Sequence, residues 1–86
     1  METFGSRRMC EEIVLQAMHD FDTAYTQGWI DLDARPRREL MARQAEVVES
    51  LNWFFYRGGI EIILEFAEFD VSATAIRRKI RERNTR

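Results

Sequence analysis

The apolar positions in the first third of the chain recur at the spacing of an α-helix. From Arg8 to Tyr25 they follow one another at steps of one, three or four residues, which fits one face of a helix and no strand. Gly28 follows this run, and glycine is common just after a helix C-terminus. We therefore predict a first helix over residues 8–27. Its predicted buried stripe consists of Met9, Ile13, Val14, Ala17, Met18, Phe21, Ala24 and Tyr25.

A second apolar stripe in the middle of the chain predicts a helix over residues 36–57. Pro36 is tolerated in the first turn of a helix, and Asp31 and Asp33 are candidate caps before it. The pair Gly58-Gly59 ends the pattern, because adjacent glycines stop a helix and allow a sharp reversal. The predicted stripe consists of Leu40, Val47, Val48, Leu51, Phe54 and Phe55.

Residues 60–69 are apolar on nearly every side. Their isoleucines would suit a strand, but Glu61, Glu65 and Glu68 recur at intervals of four and three residues. Residues at that spacing form a single stripe on a helix, whereas on a strand they would fall on both faces. We predict a buried third helix with one acidic edge.

The C-terminal segment predicts a short basic helix over residues 72–83. Ser72 is a good N-cap residue, and the break before it comprises Asp70, Val71 and Ser72 itself. The predicted fold class is therefore all-α. It is a small helical bundle of three main helices plus a short basic C-terminal helix, with a helix-turn-helix-like ending and a single domain over residues 1–86.

The size and composition of the chain narrow its class. Eighty-six residues allow one domain with a modest core, so a homodimer that buries leftover apolar surface is expected. The single cysteine, Cys10, cannot form an internal disulfide, and we expect it to be a small core or boundary residue. No signal peptide or membrane-spanning run is visible, which predicts a cytoplasmic protein without membrane contact.

Charge is strongly segregated although the formal net charge is only -2. Residues 1–34 carry a net charge of -5, residues 35–57 carry +2, residues 58–70 carry -4 and residues 71–86 carry +5. Such blocks bear on partners and self-association rather than on fold. The acidic blocks can dock on a basic surface, and the basic block can contact an anion.

The acidic helix, the predicted three-residue turn and the basic helix are spaced as in a helix-turn-helix motif. In that reading, apolar residues are buried at Phe66, Phe69, Val71, Ile76 and Ile80. The side chains that would contact bases and phosphates are Thr74, Arg77, Arg78, Lys79, Arg81 and Arg83, with Arg35, Arg37 and Arg38 as an extension of the positive surface.

Two features favour a different interpretation of the same segment. Asp70 stands where such turns usually have glycine, and Glu61, Glu65 and Glu68 put negative charge near the expected phosphate path. The alternative is an αα-hairpin whose basic helix pairs with the acidic helices of its own chain.

The tail from Ala67 to Ile80 resembles the ending of many small phage and prophage accessory (early-region) proteins. In these, a tryptophan-containing helix precedes an apolar helix and a G-L-D-P-x-x-I-R type turn into a basic helix. Here Trp53 begins the resemblance, Ser72 stands at the position of the capping aspartate, Ala73 replaces the proline and Asp70 the glycine. The resemblance covers about a third of the chain. It implies a phage regulator or inhibitor of host functions, acting in the host cytoplasm, and supplies no catalytic residue.

No catalytic or metal-binding constellation is recognisable. His19 is the only histidine, whereas hydrolytic metal sites need several converging ligands, so we interpret it as a surface residue. The pairs of aspartates in the first third lack the glycine and the terminal glutamate of a calcium loop. We therefore expect no enzyme activity, no cofactor and no small-molecule substrate.

Four consecutive aromatic residues end the predicted second helix, and they cover all of its sides. At least one of them must point away from the monomer core, which favours a dimer contact over a platform that stacks on nucleic-acid bases. With Trp29 they can also form the anchor for a protein partner. The expected partner or dimer surface consists of Trp29, Trp53, Phe54, Tyr56, Glu61, Glu65 and Glu68.

Two functions follow from these patterns. The first is a small phage-type regulatory protein that binds DNA through the C-terminal helix-turn-helix-like hairpin, acting as a homodimer. The alternative is a non-enzymatic protein–protein inhibitor or adaptor that acts on a host enzyme or defence complex through its acidic surface.

Overall fold

The computed structural model describes residues 3–85, with side chains from residue 7 to residue 85, and this part of the chain is all-α. The all-α prediction is thus confirmed, and no strand occurs within the described range. No described helix is both long enough and apolar enough to cross a membrane. The helices are α1 (Thr3–Thr26), α2 (Ala42–Tyr56), α3 (Gly59–Phe66) and α4 (Ala73–Asn84).

A glycine in the left-handed conformation ends α1, as the sequence predicts. Gly28 has φ +81°, and its N–H donates to the carbonyl of Tyr25 at 3.0 Å. The next N–H, of Trp29, donates to the carbonyl of Ala24 at 2.9 Å. These two bonds form a Schellman motif, which satisfies carbonyls that the helix leaves free.

The second helix begins six residues later than predicted, at Ala42 rather than Pro36. Pro36 instead forms an isolated antiparallel bridge with Ile30, and the Asp31 carboxylate accepts hydrogen bonds from the backbone N–H groups of Asp33 and Arg35. Asp31, one of the two predicted caps, therefore stabilises a turn in the connector and not a helix start. Arg37 and Arg38 consequently lie outside the helix, and Arg43 is the one arginine in its first turn, where the helix dipole disfavours positive charge.

The third helix ends at Phe66, three residues earlier than predicted, so six residues rather than three connect it to α4. A second Schellman motif closes it: the N–H of Phe69 donates to Leu64 at 3.0 Å and the N–H of Glu68 donates to Glu65 at 3.2 Å. The left-handed position falls on Glu68, with φ +55°, and not on Asp70 as expected.

The N-cap predicted for the last helix is confirmed. The Ser72 side-chain oxygen accepts a hydrogen bond from the N–H of Ala75 at 3.1 Å. Ile76 and Ile80 are buried as expected, whereas Phe66 and Val71, which the helix-turn-helix reading buries, are 69% and 46% exposed. Phe66 is the last residue of α3, and its side chain faces solvent.

The core forms where α1 meets the other three helices, each of which it contacts. Phe21 of α1 and Phe55 of α2 are fully buried and pack edge to face, with ring centroids 5.7 Å apart. The side chains from residue 7 to residue 85 include no buried charged residue. The molecule is flat, with principal extents of 45 × 28 × 18 Å, so a large share of each helix faces solvent.

Candidate functional site

The basic helix α4 uses Arg77 for internal contacts. The guanidinium donates to the carbonyl of Phe55 at 2.6 Å and to Glu61 Oε2 at 3.4 Å, and it lies 5.5 Å from the centre of the Tyr56 ring. The carbonyl of Phe55 is in the last turn of α2, where carbonyls lack a helical partner. Arg77 therefore caps α2, and the sequence-based orientation of this side chain toward DNA is wrong.

Two more arginines of α4 pair with carboxylates from distant parts of the chain. Arg81 donates to Asp33 Oδ1 of the connector at 2.9 Å, and Arg83 pairs with Asp22 of α1. Asn84 also donates to Asp22 Oδ1, at 2.8 Å. These pairs hold the helix against α1 and the connector, as the αα-hairpin interpretation anticipates for a basic helix among acidic neighbours.

The outer face of α4 retains part of the predicted nucleic-acid surface. Thr74, Arg78 and Lys79 are exposed. Neither Arg78 nor Lys79 forms an ion pair with any residue from 7 to 85. Glu82 is exposed on the same helix and offsets one of their charges. In the connector, Arg37 lies 5.5 Å from the centre of the Tyr25 ring of α1. The positive charge left facing solvent on α4 is therefore small.

The predicted acidic edge of α3 divides into two parts. Glu61 contacts Arg77, so its charge is partly compensated within the chain. Glu65 and Glu68 are exposed and form no ion pair within the described side chains. Of the three glutamates of this edge, Glu65 and Glu68 therefore remain available to a basic partner.

The aromatic residues expected to form a partner surface differ in exposure. Trp29, Phe54 and Tyr56 are partly buried and pack against the core, while the Trp53 side chain is 53% exposed. Tyr56 donates to the carbonyl of Leu32 at 3.0 Å. Burial, followed by the Asp33 carboxylate, raises the pKa of this phenol above its ordinary value, and the neighbouring arginines oppose the shift. Tyr56 therefore acts within the fold, and among the four aromatic residues expected at the partner surface Trp53 is the most exposed.

Sequence patterns missed several apolar side chains that face solvent. Ile13, predicted to be in the core, is 41% exposed and lines a groove of about 470 Å³ between α1 and α2, together with Trp53. Leu15 and Val71 are exposed on a smaller groove, of about 170 Å³, between α1 and the α3–α4 segment. The width of an apolar stripe is only a weak sign of these exposed side chains, because the stripe does not show how much of it the neighbouring helices cover.

The single cysteine and the single histidine of the sequence lie where they are expected. Cys10 is buried and unpaired, and His19 is exposed on α1. The described part of the chain brings together no group of three or more histidine, cysteine or acidic side chains that could hold a metal ion.

Comparison with protein-family models, curated proteins and solved structures yields no match to this chain.

Proposed function

We propose that this chain is a non-enzymatic protein-binding adaptor or inhibitor. The observation that carries the proposal is that large apolar side chains face solvent around two grooves beside α1, Ile13 and Trp53 at one and Leu15 and Val71 at the other. Extended apolar surface on a small protein marks a place where another macromolecule binds. The exposed large apolar side chains of the described range are Met9, Ile13, Leu15, Met41, Val47, Trp53, Ile62, Phe66 and Val71.

The resemblance to phage accessory proteins makes a host enzyme or defence complex the proposed partner. Capture from a host lysate treated with nuclease tests this proposal. We expect one stoichiometric protein with the wild-type chain and its loss when Ile13, Leu15 and Phe66 are changed to serine. A matched control changes three exposed polar residues outside both grooves, Glu39, Arg43 and Glu46, to serine and should retain the partner. Recovery of nucleic acid alone would refute the proposal.

Binding of DNA through α4 is the second candidate function, favoured by the exposure of Thr74, Arg78 and Lys79 on one helix. Two phosphate contacts predict weak binding. The logarithm of the association constant should fall linearly with the logarithm of the salt concentration, with a slope of about -1.8. The pair Arg78→Glu and Lys79→Glu should abolish it. If the wild-type chain does not retain duplex DNA at low salt, this role is excluded.

The expected homodimer remains a prediction, which sedimentation of the purified chain tests.

A further inference from the structure

The groove between α1 and α2 has the form of a docking site for a helix. Ile13 and Ala17 line it on one side, and Trp53 and Phe54 line it on the other. Along α1 the lining extends from Ile13 to Asp20, and Met9, one turn before Ile13, is also exposed. The rise from Ile13 to Asp20 is about 10 Å, or roughly two helical turns. A groove of this length accepts apolar side chains spaced at i, i+3, i+4 and i+7 on a partner helix.

The charged residues that line the groove are both acidic. Asp20 of α1 and Glu49 of α2 are exposed, and no basic residue is part of the lining. Gln16 donates to Asp20 Oδ1 at 3.0 Å, which restrains that carboxylate beside the groove. A helix with lysine or arginine beside its apolar face would therefore meet opposite charges.

The same charges disfavour a second copy of this chain as the occupant. A two-fold contact places the same patch of both subunits face to face. Here it would bring two copies of Asp20 and Glu49 together around an apolar centre, and like charges across an interface oppose binding. A cationic partner avoids this repulsion.

We infer that the α1–α2 groove binds a cationic amphipathic helix of the partner protein. The inference rests on the proposed protein-binding function and adds the site and the chemistry of the bound segment. Apolar side chains of the partner helix enter between Ile13 and Trp53, and its basic side chains pair with Asp20 and Glu49.

Fluorescence of Trp53 tests the inference directly, since this ring is half exposed at the groove. Trp29→Phe leaves Trp53 as the only tryptophan; if that variant does not fold, the difference between wild type and Trp53→Phe supplies the same signal. The probes are a synthetic helical peptide of leucine and lysine, about 14 residues long, and its leucine–glutamate counterpart. We expect a saturable blue shift with the lysine peptide and at least about tenfold weaker binding of the glutamate peptide.

A charge-reversal pair identifies the residues responsible. Asp20→Lys with Glu49→Lys should reverse the preference between the two peptides. Glu39→Lys with Glu82→Lys makes the same change in net charge at exposed positions outside the groove, and it should leave the preference intact.

Three outcomes would overturn the inference: no shift of Trp53 emission with either peptide, equal effects of both charge-reversal pairs, or shielding of Trp53 by self-association of the chain alone. If the peptide test fails while lysate capture still yields a stoichiometric protein, only the groove assignment is wrong. If the peptide binds but no protein is captured, the proposed function fails instead.

Discussion

Arg77 should contribute to stability rather than to nucleic-acid binding, and Arg77→Ala tests this distinction. In the native fold its guanidinium donates to the carbonyl of Phe55 at 2.6 Å and to Glu61 at 3.4 Å. Alanine removes both donors and leaves a carbonyl in the last turn of α2 without its side-chain partner. It also exposes the face of Tyr56 that the guanidinium covers.

The expected loss in the free energy of unfolding depends on how far each contact of Arg77 is buried. A hydrogen bond from a charged donor contributes about 1.5–3 kcal/mol. The Glu61 pair adds little, because the Glu61 side chain is 53% exposed and exposed ion pairs contribute about 0–1 kcal/mol. We therefore expect the free energy of unfolding to fall by about 2 kcal/mol. With an m-value of roughly 1–2 kcal/mol/M, the urea midpoint should fall by about 1–2 M.

Urea unfolding monitored by circular dichroism measures this loss, and Arg78→Ala is the matched control. Arg78 is the next residue on the same helix, is exposed and has no ion pair with residues 7–85, so its change should stay within about 0.5 kcal/mol. Equal effects of the two substitutions would refute the capping role of Arg77. If Arg77→Ala abolished DNA retention without lowering stability, its assignment as a structural residue would be wrong.

Three further substitutions test local features of the fold. Glu68→Gly should stabilise the protein by about 1 kcal/mol and raise the melting temperature by roughly 4–8 °C, because glycine adopts the left-handed conformation without steric cost; an unchanged or lower melting temperature would contradict this. Gly59→Ala should destabilise it by about 1–3 kcal/mol, since the added Cβ would lie 2.5 Å from Trp53 Cζ3, and unchanged urea unfolding and Trp53 emission would contradict that reasoning. The raised pKa of Tyr56 favours the neutral phenol in the fold, so its contribution is complete below about pH 10 and is lost as pH rises through the higher folded pKa. Tyr56→Phe should remove that alkaline loss at a cost of about 1 kcal/mol for the hydrogen bond to Leu32, as measured by urea unfolding across alkaline pH; an unchanged alkaline loss would show that another group causes it.

The ends of the helices show how far local sequence reasoning extends. Gly28 and Ser72 were predicted as terminal residues and have those roles, because each acts through backbone groups within a few residues of itself. The start of α2 depended on more distant groups. Asn52 donates to the carbonyls of Asp33 and Ala34, at 3.4 and 3.2 Å, and so helps to hold the connector outside the helix. A local reading of Pro36 could not anticipate those bonds.

The candidate site was predictable only in part, for the same reason. The basic and acidic segments are plain in the sequence, and their charges predict mutual neutralisation as one of two arrangements. Which charges pair was not predictable, because Arg81 and Asp33 are 48 residues apart and Arg83 and Asp22 are 61 apart. The apolar stripe of α1 was also predicted, but the exposure of Ile13 depends on how far α2 covers it.

By itself the sequence determined the helical class, the apolar face of each helix and the segregation of charge, since periodicity and capping act within one or two turns. Only the tertiary structure decided which faces remain uncovered and which arginines are neutralised. Those properties arise from packing between helices that are distant in sequence, and a helical pattern specifies a face without specifying the neighbour that covers it. The exposed groove at Ile13 and Trp53, on which the proposals depend, is a product of that packing.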